Sequence, residues 1–195
     1  MQDNLTELMS SRICHDLISP VGAIGNGLEL MGELSGPSPE LELIGQSAQA
    51  AQAKLKFFRI AFGVGTNSFI GGPEAERTAI EMFPVGRISV RISKSWGARE
   101  RRLVKLFYLL LLCVESTLSR GGKLVCTPTE SGWKIEVESS PTLPLDALWQ
   151  HVLTGHNGID VDAKTIQFLL ARQCLVEQSM SLKLDISESA LCLEF

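Results

Sequence analysis

Four side chains able to take part in acid, base or nucleophilic chemistry, Arg12, His15, Asp16 and Ser19, fall within about two helical turns of one another. An imidazole, with an ordinary pKa of about 6.5, is a nucleophile at cellular pH without much tuning and can accept a phosphoryl group. On a helix, Arg12 at i−3 and Ser19 at i+4 share the face of His15. Gly22 and Asn26 continue that face at later turns, so the surface around the ring is polar and low in bulk, and another protein could approach it closely. Arg12 could hold a transferring phosphate by charge-assisted hydrogen bonds, Asp16 could orient or deprotonate the ring, and Ser19 could contact a phosphate oxygen or a water. The plain alternative is a solvent-facing surface histidine with no chemistry, and these residues alone leave both readings open.

The element that must position them is long. From Asn4 to about Leu34, Met9, Ile13, Leu17, Val21, Ile24, Leu28 and Met31 recur every three or four residues and form one apolar stripe, with His15 roughly opposite. Pro20 lies inside this helix and takes the donor away from the Asp16 carbonyl, so a bend or loosened turn is expected beside His15. Gly36-Pro37-Ser38-Pro39 ends the helix in a turn. Leu41, Ile44, Ala48, Ala51, Leu55, Phe58 and Phe62 then form a heptad-like seam on a second helix. The two make an antiparallel hairpin that leaves apolar surface wet, the more so as Leu43, Phe57 and Ile60 lie off the seam. A homodimer is therefore expected, with a four-helix bundle at its centre and both His15 side chains facing outward.

Gly63 to Ser68 and Gly71-Gly72-Pro73 read as a linker, giving a helical hairpin over 1–66 and a second domain over 75–195. In that domain Arg87 to Ile92 alternates as a strand, Glu100 to Leu118 is helical, and Lys123 to Thr127 and Trp133 to Glu138 are strands about a turn. A short helix follows Pro144. Asp162 to Gln178 is a further helix capped by Asp160 or Asp162, and Ser181 to Ile186 with Ala190 to Phe195 closes the fold as two strands. The pattern is an α+β sandwich with helices on one face of a mixed sheet.

Composition narrows the function. The chain has 195 residues, 45% of them hydrophobic, and 18 basic against 22 acidic side chains, which gives one or two folded domains and excludes disorder. Without a basic tract beyond Arg99, Arg101 and Arg102, a nucleic-acid partner is not expected. The five cysteines form no CxxC pair, which argues against a disulfide framework or a zinc site. The run from Leu106 to Val114 is about half of the roughly 20 residues a membrane span needs, so no membrane partner is expected. The first residues show no basic-then-apolar signal pattern, and a cytoplasmic location is expected. His151 and His156 read as surface or turn residues. Cys14 cannot use His15 as its base, because residues i and i+1 on a helix do not face each other. Metal phosphohydrolases also use a His-Asp dipeptide, but need several more His and Asp ligands than this chain offers.

The run His15-Asp16-Leu17-Ile18-Ser19-Pro20-Val21 resembles the H-box of two-component histidine kinases. It departs from the kinases at Ile18, where many carry Arg, and at Ser19, where Thr or Asn is usual. Extended through Gly22-Ala23-Ile24-Gly25-Asn26-Gly27-Leu28-Glu29-Leu30, it is closer to the alphaproteobacterial histidine phosphotransferases. The resemblance implies that His15 is the phosphorylated residue and Asp16 its assisting acid. The second domain resembles a kinase ATP-binding domain without its signatures. The positions aligned with the two N-box asparagines are Leu109 and Cys113, neither a ligand for Mg²⁺. Ser139-Ser140-Pro141-Thr142-Leu143 stands where the adenine-reading motif would be, and Gly155-His156-Asn157-Gly158, near the position of a glycine-rich lid, reads instead as an ordinary turn before the Asp162 helix. The implied function is a phosphorelay, without ATP-dependent autophosphorylation. Its implied donor is the receiver domain of a hybrid histidine kinase, and its acceptors are response regulators controlling the cell cycle. No cofactor would be bound by this chain, and Mg²⁺ would sit on the receivers. A docking or inhibitory scaffold is the main alternative, and a residual ATP-dependent kinase a third.

Overall fold

The computed structural model describes residues 2–36, 38–84, 86–138, 146–156, 158–187 and 190–195. The chain divides into two compact units, Met1–Gly65 and Thr66–Phe195.

The first unit is a helical hairpin of α1 (Gln2–Ser35) and α2 (Pro39–Ala61). Helix α1 runs on through Pro20 and ends where Gly36 takes φ +79°, its N–H bonded to the Gly32 carbonyl at 3.0 Å. A residue with a side chain would be strained in that left-handed conformation. Ser38 is extended, Pro39 supplies the pre-set φ of a first turn, and the Glu42 N–H closes that turn on the Ser38 carbonyl. Ile13, Leu17, Ile24 and Met31 of the α1 stripe are 45–55% exposed, so packing on α2 does not cover the stripe. Cys14, one position off it, is buried. On α2 the expected seam is only partly covered. Ile44 and Ala51 are exposed, while Phe57 and Ile60, placed off the seam by the heptad reading, are fully buried. A heptad pattern marks which face is apolar, and the packing of a single hairpin does not use all of it.

The second unit begins with β1 (Phe69–Ile70), α3 (Gly72–Met82), β2 (Ile88–Ile92) and β3 (Arg99–Glu100). It continues through α4 (Arg101–Thr117), β4 (Gly122–Pro128), β5 (Trp133–Glu138), α5 (Asp146–Thr154), α6 (Ile166–Glu177), β6 (Lys183–Ile186) and β7 (Leu191–Glu194). The main sheet has the order β2-β4-β5-β7-β6, with β2 parallel to β4 and the other pairs antiparallel. Strand β1 pairs with β3 in a separate two-stranded ribbon. Along β5, buried Trp133, Ile135 and Val137 alternate with half-exposed Lys134 and Glu136, the period of a sheet covered on one face. Helix α4 is buried without interruption from Val104 to Val114, and α6 packs against it. Its Tyr108 hydroxyl donates to the Ala75 carbonyl of α3 at 2.8 Å. Phe107 stacks on Trp133 at 4.5 Å, with Trp96 edge-on to both rings.

Three expectations change. The stretch read as a linker holds β1 and the start of α3, because Gly72 and Pro73 open a helix here; a Cβ on Gly72 would stand 1.9 Å from the Trp96 carbonyl oxygen. Helix α3 itself was not foreseen. Neither Asp160 nor Asp162 caps α6, which starts at Ile166 after Thr165; Asp162 instead accepts from the Lys164 N–H at 2.8 Å and the Thr165 hydroxyl at 2.9 Å, closing the preceding turn. Residues 139–145, Asn157 and the first turn after Pro144 as drawn from the sequence lie outside the described residues.

Candidate functional site

The middle of α1 presents His15 to solvent, with its side chain 77% exposed. The ring Nδ1 lies 3.1 Å from Asp16 Oδ1, and the Arg12 Nε donates to Asp16 Oδ2 at 2.6 Å. Hydrogen bonding to the ring and then to the guanidinium holds the Asp16 carboxyl below the usual carboxylate range. An ionised carboxylate only accepts, so the Nδ1 facing it carries the proton and the lone pair of the neutral ring is left on Nε2. That nitrogen has the chemistry of a nucleophile. The structure thus brings Arg12, His15 and Asp16 together, and it places Arg12 on the carboxylate rather than as a separate arm beside the ring. Ser19, one turn on, is exposed.

Gly22 and Asn26 line an open groove of about 850 Å³ between α1 and α2, together with Gly25 and Gly32 of α1 and Gly45 and Gln49 of α2. Gly22, Gly25 and Gly32 of α1 recur at spacings of three and seven, the period of one helical face. Gly25, Gly32, Gly45 and Gln49 were not picked out from the sequence, although the glycine spacing in two facing helices is a readable signal. At Gly22 a Cβ would stand 3.3 Å from Gln52 Nε2, whereas at Gly25, Gly32 and Gly45 it would meet nothing within 4 Å.

Cys14, beside His15, is buried, and burial pushes its thiol up against the opposing pull of Arg59, so it is a poor nucleophile. In the second unit, Leu109 and Cys113 are fully buried in α4, and burial pushes the Cys113 thiol far up. His151 Nδ1 bonds the His156 carbonyl at 2.8 Å, and Arg172 donates to the Val152 and Leu153 carbonyls at the end of α5. These contacts tie the α5–α6 connection together, with His151 in the last turn of α5 and His156 in the connection. Among the described residues there is no group of three or more His, Cys, Asp and Glu side chains that could hold a metal ion. No helix among them is long and apolar enough to cross a membrane.

The chain thus carries an exposed histidine against a carboxylate on a helical hairpin, followed by an α+β unit. The model of the histidine phosphotransferase C-terminal domain matches residues 72–190, and the chain belongs to that family. It is 41% identical over 127 residues to protein phosphotransferase ChpT of Brucella abortus (strain 2308), an alignment covering 62% of this chain and 59% of that protein. The chain thus matches less than two thirds of that relative's length. It is also similar in structure to a bacterial phosphotransferase, with TM-score 0.66 and 27% identity over 94% of this chain and 91% of the other.

Proposed function

We propose that the chain is the histidine phosphotransferase of a two-component phosphorelay. The lone pair of His15 Nε2 attacks the phosphorus of an aspartyl phosphate on the receiver domain of a hybrid histidine kinase. A P–N bond forms, the P–O bond to the acyl group breaks, and the receiver's carboxylate leaves. The ring gains a positive charge, which the Asp16 carboxylate offsets at Nδ1. The reverse chemistry then delivers the phosphoryl group to an aspartate of response regulators, among which those controlling the cell cycle are the proposed targets. The observation that carries this reading is the Asp16 contact at Nδ1, which leaves Nε2 free on an exposed ring. Mg²⁺ belongs to the receivers in this scheme, and no cofactor is assigned to this chain.

The exposed stripe of Ile13, Leu17, Ile24 and Met31 supports a homodimer, since a second copy would complete a four-helix bundle and keep both histidines outside. The burial of apolar Leu109 and Cys113 in α4 supports a second unit that does not use ATP. Incubation with a radiolabelled phospho-receiver should label the wild-type chain and leave His15→Ala unlabelled, while labelled ATP alone labels neither. Label from ATP would mean a working kinase domain. No label from either source would mean that the chain docks on its partners as a scaffold instead.

A further inference from the structure

We infer that Arg12 is a positioning residue for phosphoryl transfer, which fixes the Asp16 carboxylate against the Nδ1 side of His15 instead of gripping the phosphoryl group. The inference rests on the reading of His15 as the phosphoryl acceptor. Both Asp16 oxygens are committed, Oδ2 to the Arg12 Nε at 2.6 Å and Oδ1 to His15 Nδ1 at 3.1 Å. The carboxylate cannot swing away from the ring without breaking its bond to the guanidinium. Arg12 lies four residues before Asp16, with the cation N-terminal to the anion. That is the weaker order for stabilising a helix, so helix stability alone is a poor account of the pair. Arg12 also sets a positive charge beside the carboxylate, which would otherwise stand uncompensated as a doubly charged phosphoryl group arrives.

Fixing the carboxylate selects a tautomer. With Asp16 held at Nδ1, the proton stays on that nitrogen and the Nε2 lone pair is presented to the donor. Without Arg12, the carboxylate samples other rotamers and the Nε2–H form, which cannot attack, becomes more populated. All three side chains are about half or more exposed, so the effect is modest: about two- to fivefold on the tautomer ratio, and at most that factor on the rate of transfer.

The test uses the full chain and two readouts. Long-range ¹H–¹⁵N spectra at pH 8, with His15 assigned by comparison with His15→Gln, report which ring nitrogen carries the proton. Phosphorylation by phosphoramidate, which forms the P–N bond to His15 with loss of ammonia, reports transfer without a docked protein. In Arg12→Ala the ratio should move toward Nε2–H, and the maximal rate should fall in proportion to the Nδ1–H fraction with the half-saturating phosphoramidate concentration unchanged. Arg12→Lys should restore most of both. An unchanged tautomer ratio would overturn the inference, as would a raised half-saturating concentration with an unchanged maximal rate, the mark of a phosphate clamp. A wild-type chain with the Arg12-dependent tautomer that takes no phosphoryl group from any donor would overturn the relay reading, and with it any role of Arg12 in transfer.

Discussion

Asp16 sits between the His15 ring and the Arg12 guanidinium, and its charge state is the quantity both contacts depend on. Its carboxyl is lowered from 3.8, first by the hydrogen bond to His15 and then by Arg12. A depressed folded value means that the interaction is complete above the unfolded value and is lost as pH falls through the folded one. The Asp16 carboxyl carbon, followed by ¹³C NMR, should therefore titrate with a midpoint below 3.8 in the wild type, and the midpoint should rise toward it in Arg12→Ala. The dipeptide His15-Asp16 was legible because adjacent residues of these types are a compact signature. The partner of Arg12 was not. Arg12 is three residues from His15 and four from Asp16, and on a helix both spacings bring side chains together, so only the rotamers decide between them.

At the scale of elements, the long helices were legible because their apolar residues repeat at the helical period over many turns, and the turn between them is spelled by Gly and Pro. Helix α3 was not, because Gly71-Gly72-Pro73 spells a loop as readily as a helix start, and what decides is the close approach of Gly72 to the Trp96 carbonyl, a contact from another segment. The same dependence on distant backbone governs the entry to β4. Gly121 has φ +81°, and a Cβ there would stand 1.8 Å from the Arg87 carbonyl oxygen. Gly121→Ala should therefore cost about 2 kcal/mol or more, through strain at a left-handed position and displacement of Arg87. Thermal unfolding should show it as a drop of several degrees, while Gly71→Ala, where a Cβ meets nothing within 4 Å, should show little.

At the scale of the molecule, the sequence separated a helical unit from an α+β unit, because a change from heptad-like seams to alternating strands is visible without any contact. Which apolar faces stay open was legible only in part. The stripe on α1 was, since one hairpin partner cannot cover it, but the interior of α2 was not, because Phe57 and Ile60 are buried by tertiary packing that no local period announces. The exposed part of the stripe sets the oligomeric expectation. Light scattering at micromolar concentration should report a dimer for the wild type and a smaller species for Leu17→Asp, whose charge would fall at the centre of the bundle. A wild-type monomer would contradict the four-helix arrangement.

The bare stretch of the groove carries a thermodynamic cost. Gly25, Gly32 and Gly45 face empty space where a methyl group would fit, yet each weakens its helix by about 1 kcal/mol relative to alanine. The hairpin therefore holds less helical free energy than its length allows. In this chain the helix buried along most of its length lies far along the sequence from the histidine, and the histidine stands on a helix whose glycines face open space.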